Sequence, residues 1–248
     1  MSKKGRCHLC GEYGALSYEH TPPRKAFNER PVIRVPLNEA LILGPGIKAT
    51  GKIQQKGAGD YTLCPKCNND TGSWYGKDFV DWCYKGMEIL YNAKGNPTLT
   101  YLYKLKPLNI LKQIITMFFS INGPGFGDRH PELIKFILNK KEKNLNPSIR
   151  FFCYFNIKGI FRSAGISGIV DVNTQKIILL SEINYPPFGY VMTIDSEAPD
   201  RRLAEITHFS TYSYDELSIQ YIKFPVLQTH LFYPGDYRSK DEIEKLIK

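Results

Sequence analysis

A chain of 248 residues, 42% apolar and 23% charged, is long enough for one large domain or two small ones and has the composition of a folded protein, which excludes wholesale disorder. No run of about 18 uncharged apolar residues occurs, which excludes a spanning helix, and the basic stretch Met1–Arg6 leads into Cys7 without the apolar segment of a secretory signal. The net charge of +9 sits mainly in residues 1–56, with ten basic against four acidic side chains, a balance suited to a polyanionic partner such as nucleic acid.

Two regions are expected, 1–95 and 98–248, separated by the break Asn92-Ala93-Lys94-Gly95-Asn96-Pro97. The first is loop-rich. Residues 31–60 carry Pro31, Pro36, Gly44-Pro45-Gly46, Gly51, Gly57 and Gly59 and read as an extended loop or hairpin. From Asn68 to Tyr91 the apolar residues Phe79, Val80, Trp82, Cys83, Met87, Ile89 and Leu90 recur at helical spacing. Leu108–Ile121 is apolar on nearly every side and is expected to be a buried helix. The glycines of Asn122–Asp128 end it in a turn, and Pro131–Lys140 begins a second helix with proline near its start. Strands are expected at Phe151–Ile157, Ile160–Val172, Lys176–Ile183, Phe188–Ile194 and Leu217–Phe224, with a short helix over Ser239–Lys248.

The most specific feature is a pair of C-x-x-C motifs, Cys7-His8-Leu9-Cys10 and Cys64-Pro65-Lys66-Cys67. With no export signal the expected compartment is cytoplasmic and reducing, so disulfides are not expected. Each motif turns two sulfurs to one side of a tight loop, and two such knuckles give the four-thiolate shell of a structural zinc site. A redox dithiol would need only one pair, and an iron–sulfur centre favours tighter clustering. His8 reads as a surface residue, and Cys83 and Cys153 as small buried hydrophobes among apolar neighbours.

Between the knuckles lies Ser17-Tyr18-Glu19-His20-Thr21-Pro22-Pro23-Arg24-Lys25. A carboxylate at Glu19 can hold a hard divalent cation, Mg or Mn. The adjacent imidazole of His20 can deprotonate a water near neutral pH. Arg24 and Lys25 can neutralise phosphate oxygens, and Asn68, directly after the fourth cysteine, can offer the cation a second oxygen. Arg34, Lys48 and Lys52 in the basic 31–60 segment extend the candidate nucleic-acid surface.

This arrangement over residues 5–90 resembles the HNH endonucleases, the ββα-metal or His-Me finger nucleases, in their zinc-stabilised form. The resemblance implies zinc ligands at Cys7, Cys10, Cys64 and Cys67, a general base at His20, and a catalytic cation held by Glu19 and Asn68. It implies an α+β chain: a treble-clef-like ββα-metal finger over 1–95, then a mixed α+β accessory region with an antiparallel sheet over 98–248. It implies metal-dependent hydrolysis of phosphodiester bonds in DNA, with RNA as a second candidate substrate, in a defence or mobile-element setting. One departure stands out. The family's middle asparagine falls on Gly59, with Asp60 the nearest polar substitute and Asn38 too early. Its role is to tie down the loop holding the histidine.

Two readings of another class remain: a zinc-dependent nucleic-acid-binding module without catalysis, and a protein-interaction module in which zinc is only a staple. No membrane role is expected. The 98–248 region, with 19 basic and 15 acidic residues, is nearer neutral and is a candidate surface for a protein partner or a second copy. Trp74, Tyr75, Phe79 and Trp82, with Lys77 and Lys85, form a possible base-stacking surface, but their helical period fits a buried stripe better.

Overall fold

The computed structural model describes residues 3–36, 39, 50–158, 160–170 and 175–247. Lys48 and Asn38 lie outside the described residues. The architecture is mixed α and β, and every sheet in it is antiparallel.

The chain opens with a small hairpin, β1 (Lys4–Arg6) against β2 (Tyr13–Ala15), whose connection carries the first knuckle. Strand β3 (Ser17–His20) pairs with β6 (Gly59–Leu63), so that Glu19 lies opposite Asp60 and His20 opposite Gly59. Between them, β4 (Val32–Arg34) and β5 (Lys52–Gln54) form the hairpin expected in the 31–60 segment. Helix α1 (Pro65–Thr71) starts at the second knuckle, with Cys64 as its N-cap and proline at its first position, where a missing N–H costs nothing. It runs through one π turn (Gly72–Gly76) into α2 (Lys77–Asn92). The predicted helix over 68–91 is therefore present, in two segments joined by that turn.

The expected aromatic stripe is core. Phe79, Trp82, Cys83, Gly86, Ile89 and Leu90 are buried on one face of α2. Trp82 stacks on Phe188 with ring centroids 4.7 Å apart and donates from Nε1 to the Tyr190 hydroxyl. Gly86 permits this approach: a Cβ there would lie 2.5 Å from the Phe188 ring.

Helix α3 (Pro107–Asn122) is buried from Pro107 to Ser120, as its all-round apolar character predicts. The glycine-rich segment after it is not a simple turn: Pro124–Arg129 forms a short helix, α4. Gly123, at φ +79°, breaks α3, Pro124 seeds the new helix, and Phe126 anchors it on Phe119 with ring centroids 5.0 Å apart. Helix α5 (Pro131–Leu138) follows.

A five-stranded sheet of order β12-β8-β11-β10-β9 comprises β8 (Ile149–Phe155), β9 (Arg162–Val170), β10 (Ile177–Tyr185), β11 (Phe188–Ile194) and β12 (Ala204–Glu205). Strand β7 (Thr98–Leu105), which the sequence reading does not anticipate, pairs with β13 (Ser218–Pro225). Helix α6 (Lys240–Ile247) closes the described chain. A continuous apolar core joins Cys7 and Leu9 through Trp82 and Phe118 to Phe188 and Phe224. No helix among the described residues is long and apolar enough to cross a membrane.

Candidate functional site

The ligand atoms of Cys7, Cys10, Cys64 and Cys67 all lie within 4.8 Å of one another. Tetrahedral thiolates at zinc sit about 3.8 Å apart for a metal–sulfur bond of roughly 2.3 Å. The Cys10–Cys64 separation of 3.9 Å matches that spacing. Backbone N–H groups point at the sulfurs: Cys64 N donates to Cys7 Sγ and Cys67 N to Cys64 Sγ. Contact with the Cys67 thiol, helped by backbone N–H donors, draws Cys7 down to about 4, while the same contact and burial push Cys67 up. Four thiolates cannot crowd together without a cation, so this donor set fits a structural metal such as zinc.

The knuckle is tied to the rest of the molecule. His8 is half-buried and stands outside the four-thiol ligand set: its Nδ1 lies 3.0 Å from the Ser120 carbonyl, at the C-terminal end of α3. Arg6 makes a two-pronged ion pair with Asp128 on α4. Cys83 and Cys153 are buried apolar residues remote from the four-thiol cluster's ligand set.

Beside the cluster, β3 and α1 bring Glu19, His20 and Asn68 to one cleft of about 560 Å³, whose rim includes Arg24 and Lys25. The strand alternation turns Glu19 inward. It is 6% exposed, and no described cation pairs with it. Burial alone pushes its carboxyl up to about 8. Asn68 donates from Nδ2 to Ser17 Oγ at 3.0 Å and more weakly to the Tyr18 carbonyl, which fixes the amide and leaves Oδ1 as the open oxygen.

The tautomer of His20 follows from its partner. Nε2 lies 3.0 Å from the Lys56 carbonyl, which can only accept, so Nε2 carries the proton and Nδ1 the lone pair. Burial, with the nearby Arg24 and Lys56 charges, lowers the imidazole pKa against the smaller effect of that hydrogen bond. A neutral ring with a basic Nδ1 results at neutral pH.

Asp60 does not do the work expected of it. It is held by Lys3 and Arg34. The loop after His20 is instead tied by Asn28, which is fully buried. Its Nδ2 donates to the carbonyls of Pro22 and Ala58, and its Oδ1 accepts from Ala58 N, each at 2.7 Å. Thr21 N adds a bond to the Ala58 carbonyl. Gly57, at φ +93°, is required here, since a Cβ would sit 2.2 Å from the Asn28 carbonyl oxygen.

Of the other basic candidates, Arg34 and Lys52 face each other across the β4–β5 pair and are not among the cleft-lining residues, and Arg34 is engaged with Asp60. Sequence reading gives Tyr18 and Gln113 no role and places Lys77 only in a possible base-stacking surface, yet all three line the cleft. The one available signal for Gln113 is a polar residue in the apolar run Leu108–Ile121. No protein-family model, no curated protein and no solved structure matches the chain.

Proposed function

We propose that the chain is a metal-dependent endonuclease of the HNH type, cutting phosphodiester bonds in DNA. The observation that carries this reading is the isolated carboxyl of Glu19. A buried carboxylate without a counter-charge is costly, and a divalent cation is the partner that relieves it. The knuckle hairpin, the β3–β6 pair and α1 are the parts a zinc-stabilised ββα-metal finger needs, in the right order. Zinc at the four cysteines is then structural.

In this reading His20 Nδ1 takes the proton from an attacking water, and the Lys56 carbonyl holds the ring in the tautomer that leaves Nδ1 free. Arg24 and Lys25 bind and orient the phosphate at the rim. Glu19 and Asn68 Oδ1 would hold Mg or Mn, which when bound supplies charge neutralisation at the scissile phosphate and the leaving 3′ oxygen.

The test is plasmid nicking with Mg or Mn against a chelator, with zinc content measured in parallel. His20→Ala should lower cleavage by about 10²–10⁴-fold and leave bound zinc unchanged. Undiminished cleavage by that variant removes His20 from the mechanism. Salt-sensitive binding without cleavage by the wild type would make the chain a nucleic-acid-binding module instead.

A further inference from the structure

Helix α3 carries polar side chains in an otherwise apolar setting, and most are satisfied. Asn109 bonds Asp78 and Asp215, Lys112 donates to the carbonyls of Phe136, Asn139 and Lys140, and Thr116 donates to the Lys112 carbonyl. Gln113 differs. It is 2% exposed, its Oε1 has no hydrogen-bond partner among the described residues, and it lines the cleft that holds Glu19, His20 and Asn68. Thr62 Oγ1 and Ser120 Oγ also lack partners, but neither lines the cleft. A buried carbonyl oxygen left unpaired costs free energy comparable to a lost hydrogen bond, so the place of Gln113 Oε1 in a ligand cleft points to a ligand that donates to it.

We propose that Gln113 reads the base of an unpaired nucleotide next to the scissile phosphate, so that the preferred substrate is single-stranded rather than duplex. This rests on the cleft being the nucleic-acid site argued above. Three features of the cleft support it. Its volume of about 560 Å³ lies within the roughly 300–1,000 Å³ of sites that enclose a small ligand. Its lining includes Tyr18, Pro23 and Val80, residues whose aromatic or apolar side chains suit contact with a base. Its rim supplies Arg24 and Lys25 for the phosphates. A duplex presents its sugar–phosphate backbone to a basic rim. Only a base out of its stack can reach an amide this deep. The unpaired Oε1 needs a donor, which the N–H groups on the edge of a base supply and the acceptor-only oxygens of a phosphate do not.

The experiment compares zinc-loaded wild type with Gln113→Leu, a near-isosteric change that removes the amide. Fluorescence anisotropy reads binding of a short labelled DNA strand and of the same strand annealed to its complement, without Mg or Mn. Wild type should bind the single strand more tightly. Gln113→Leu should weaken single-strand binding by about 10-fold or more and leave duplex binding unchanged. Its melting temperature should be equal or higher, because an unsatisfied buried group has gone. Unchanged single-strand affinity, a preference of wild type for duplex, or a clearly lower melting temperature in the variant would each overturn the proposal; the last would make Gln113 a structural residue. Gln113-dependent binding without any cleavage by wild type in Mg or Mn would sink the nuclease reading and keep this one. Cleavage that ignores Gln113 would do the reverse.

Discussion

At the scale of single residues, the site rests on side chains whose partners are already spoken for. Asn28 makes its three bonds to backbone groups on either side of the His20 loop, so Asn28→Ala strands the Pro22 carbonyl and the Ala58 N–H and leaves the Ala58 carbonyl with only its bond from Thr21 N. The expected loss is about 2–4 kcal/mol in chemical denaturation, with zinc retained and cleavage reduced because the loop that follows His20 is released. Glu19 makes a prediction in pH. Its folded pKa of about 8 lies above the ordinary value of 4.5, so between them the native chain holds a proton that the unfolded chain releases. Stability without Mg or Mn should therefore fall as pH rises through that window, and Glu19→Gln should flatten the fall, read as denaturant midpoints across the range. These residues differ in how they could be found. The cysteine pairs and Glu19-His20 announce themselves because their chemistry lies in side chains close in sequence. Asn28 works on backbone groups up to 30 positions away, and no side-chain pattern reports that. Asp60 has the right residue type near the right spacing and lies opposite Glu19, yet its carboxylate is taken up by Lys3 and Arg34.

At the scale of elements, strands β8, β10 and β11 were legible because apolar-rich runs between turn residues leave few alternatives, and α3 because its run lacks a polar face. Strand β7 was not legible. Leu102 interrupts the alternation of Leu99, Tyr101, Tyr103 and Leu105, and the strand's partner β13 lies more than a hundred residues on, so the pairing comes from the tertiary fold. The sheet is pinned by one buried cluster. Arg162 on β9 pairs with Glu182 on β10 at 2.6 Å, with the two side chains 7% and 0% exposed, and Tyr154 on β8 donates to the same carboxylate. Glu182→Gln would leave the Arg162 charge buried without its counter-ion, at a cost of about 3–5 kcal/mol. Replacing both, Arg162→Met with Glu182→Leu, should cost less than the single change, because no charge is then stranded. Urea unfolding of the single and double variants checks both the sign and the coupling.

At the scale of the whole molecule, the decisive fact is that the four-thiol cluster is not an appendage. Cys7 and Leu9 belong to the same apolar core as Trp82, Phe188 and Phe224, and His8 and Arg6 tether the knuckle to α3 and α4. A structural zinc contributes on the order of 10–16 kcal/mol of folding free energy. A domain's whole margin is about 5–15 kcal/mol. The first quantity matches or exceeds the second, so withdrawing the ion should not loosen one corner but unfold the chain. With zinc bound, heating should give a single transition, the same by far-UV circular dichroism and by tryptophan fluorescence. Trp82 reports from the junction between α2 and β11, where it stacks on Phe188. A thiol-compatible chelator, or Cys67→Ser, should lower that transition sharply and move both signals together. Two separated transitions, with the sheet surviving after the ion has gone, would show that the ion holds only its own knuckle and that the shared core is too weak to couple them.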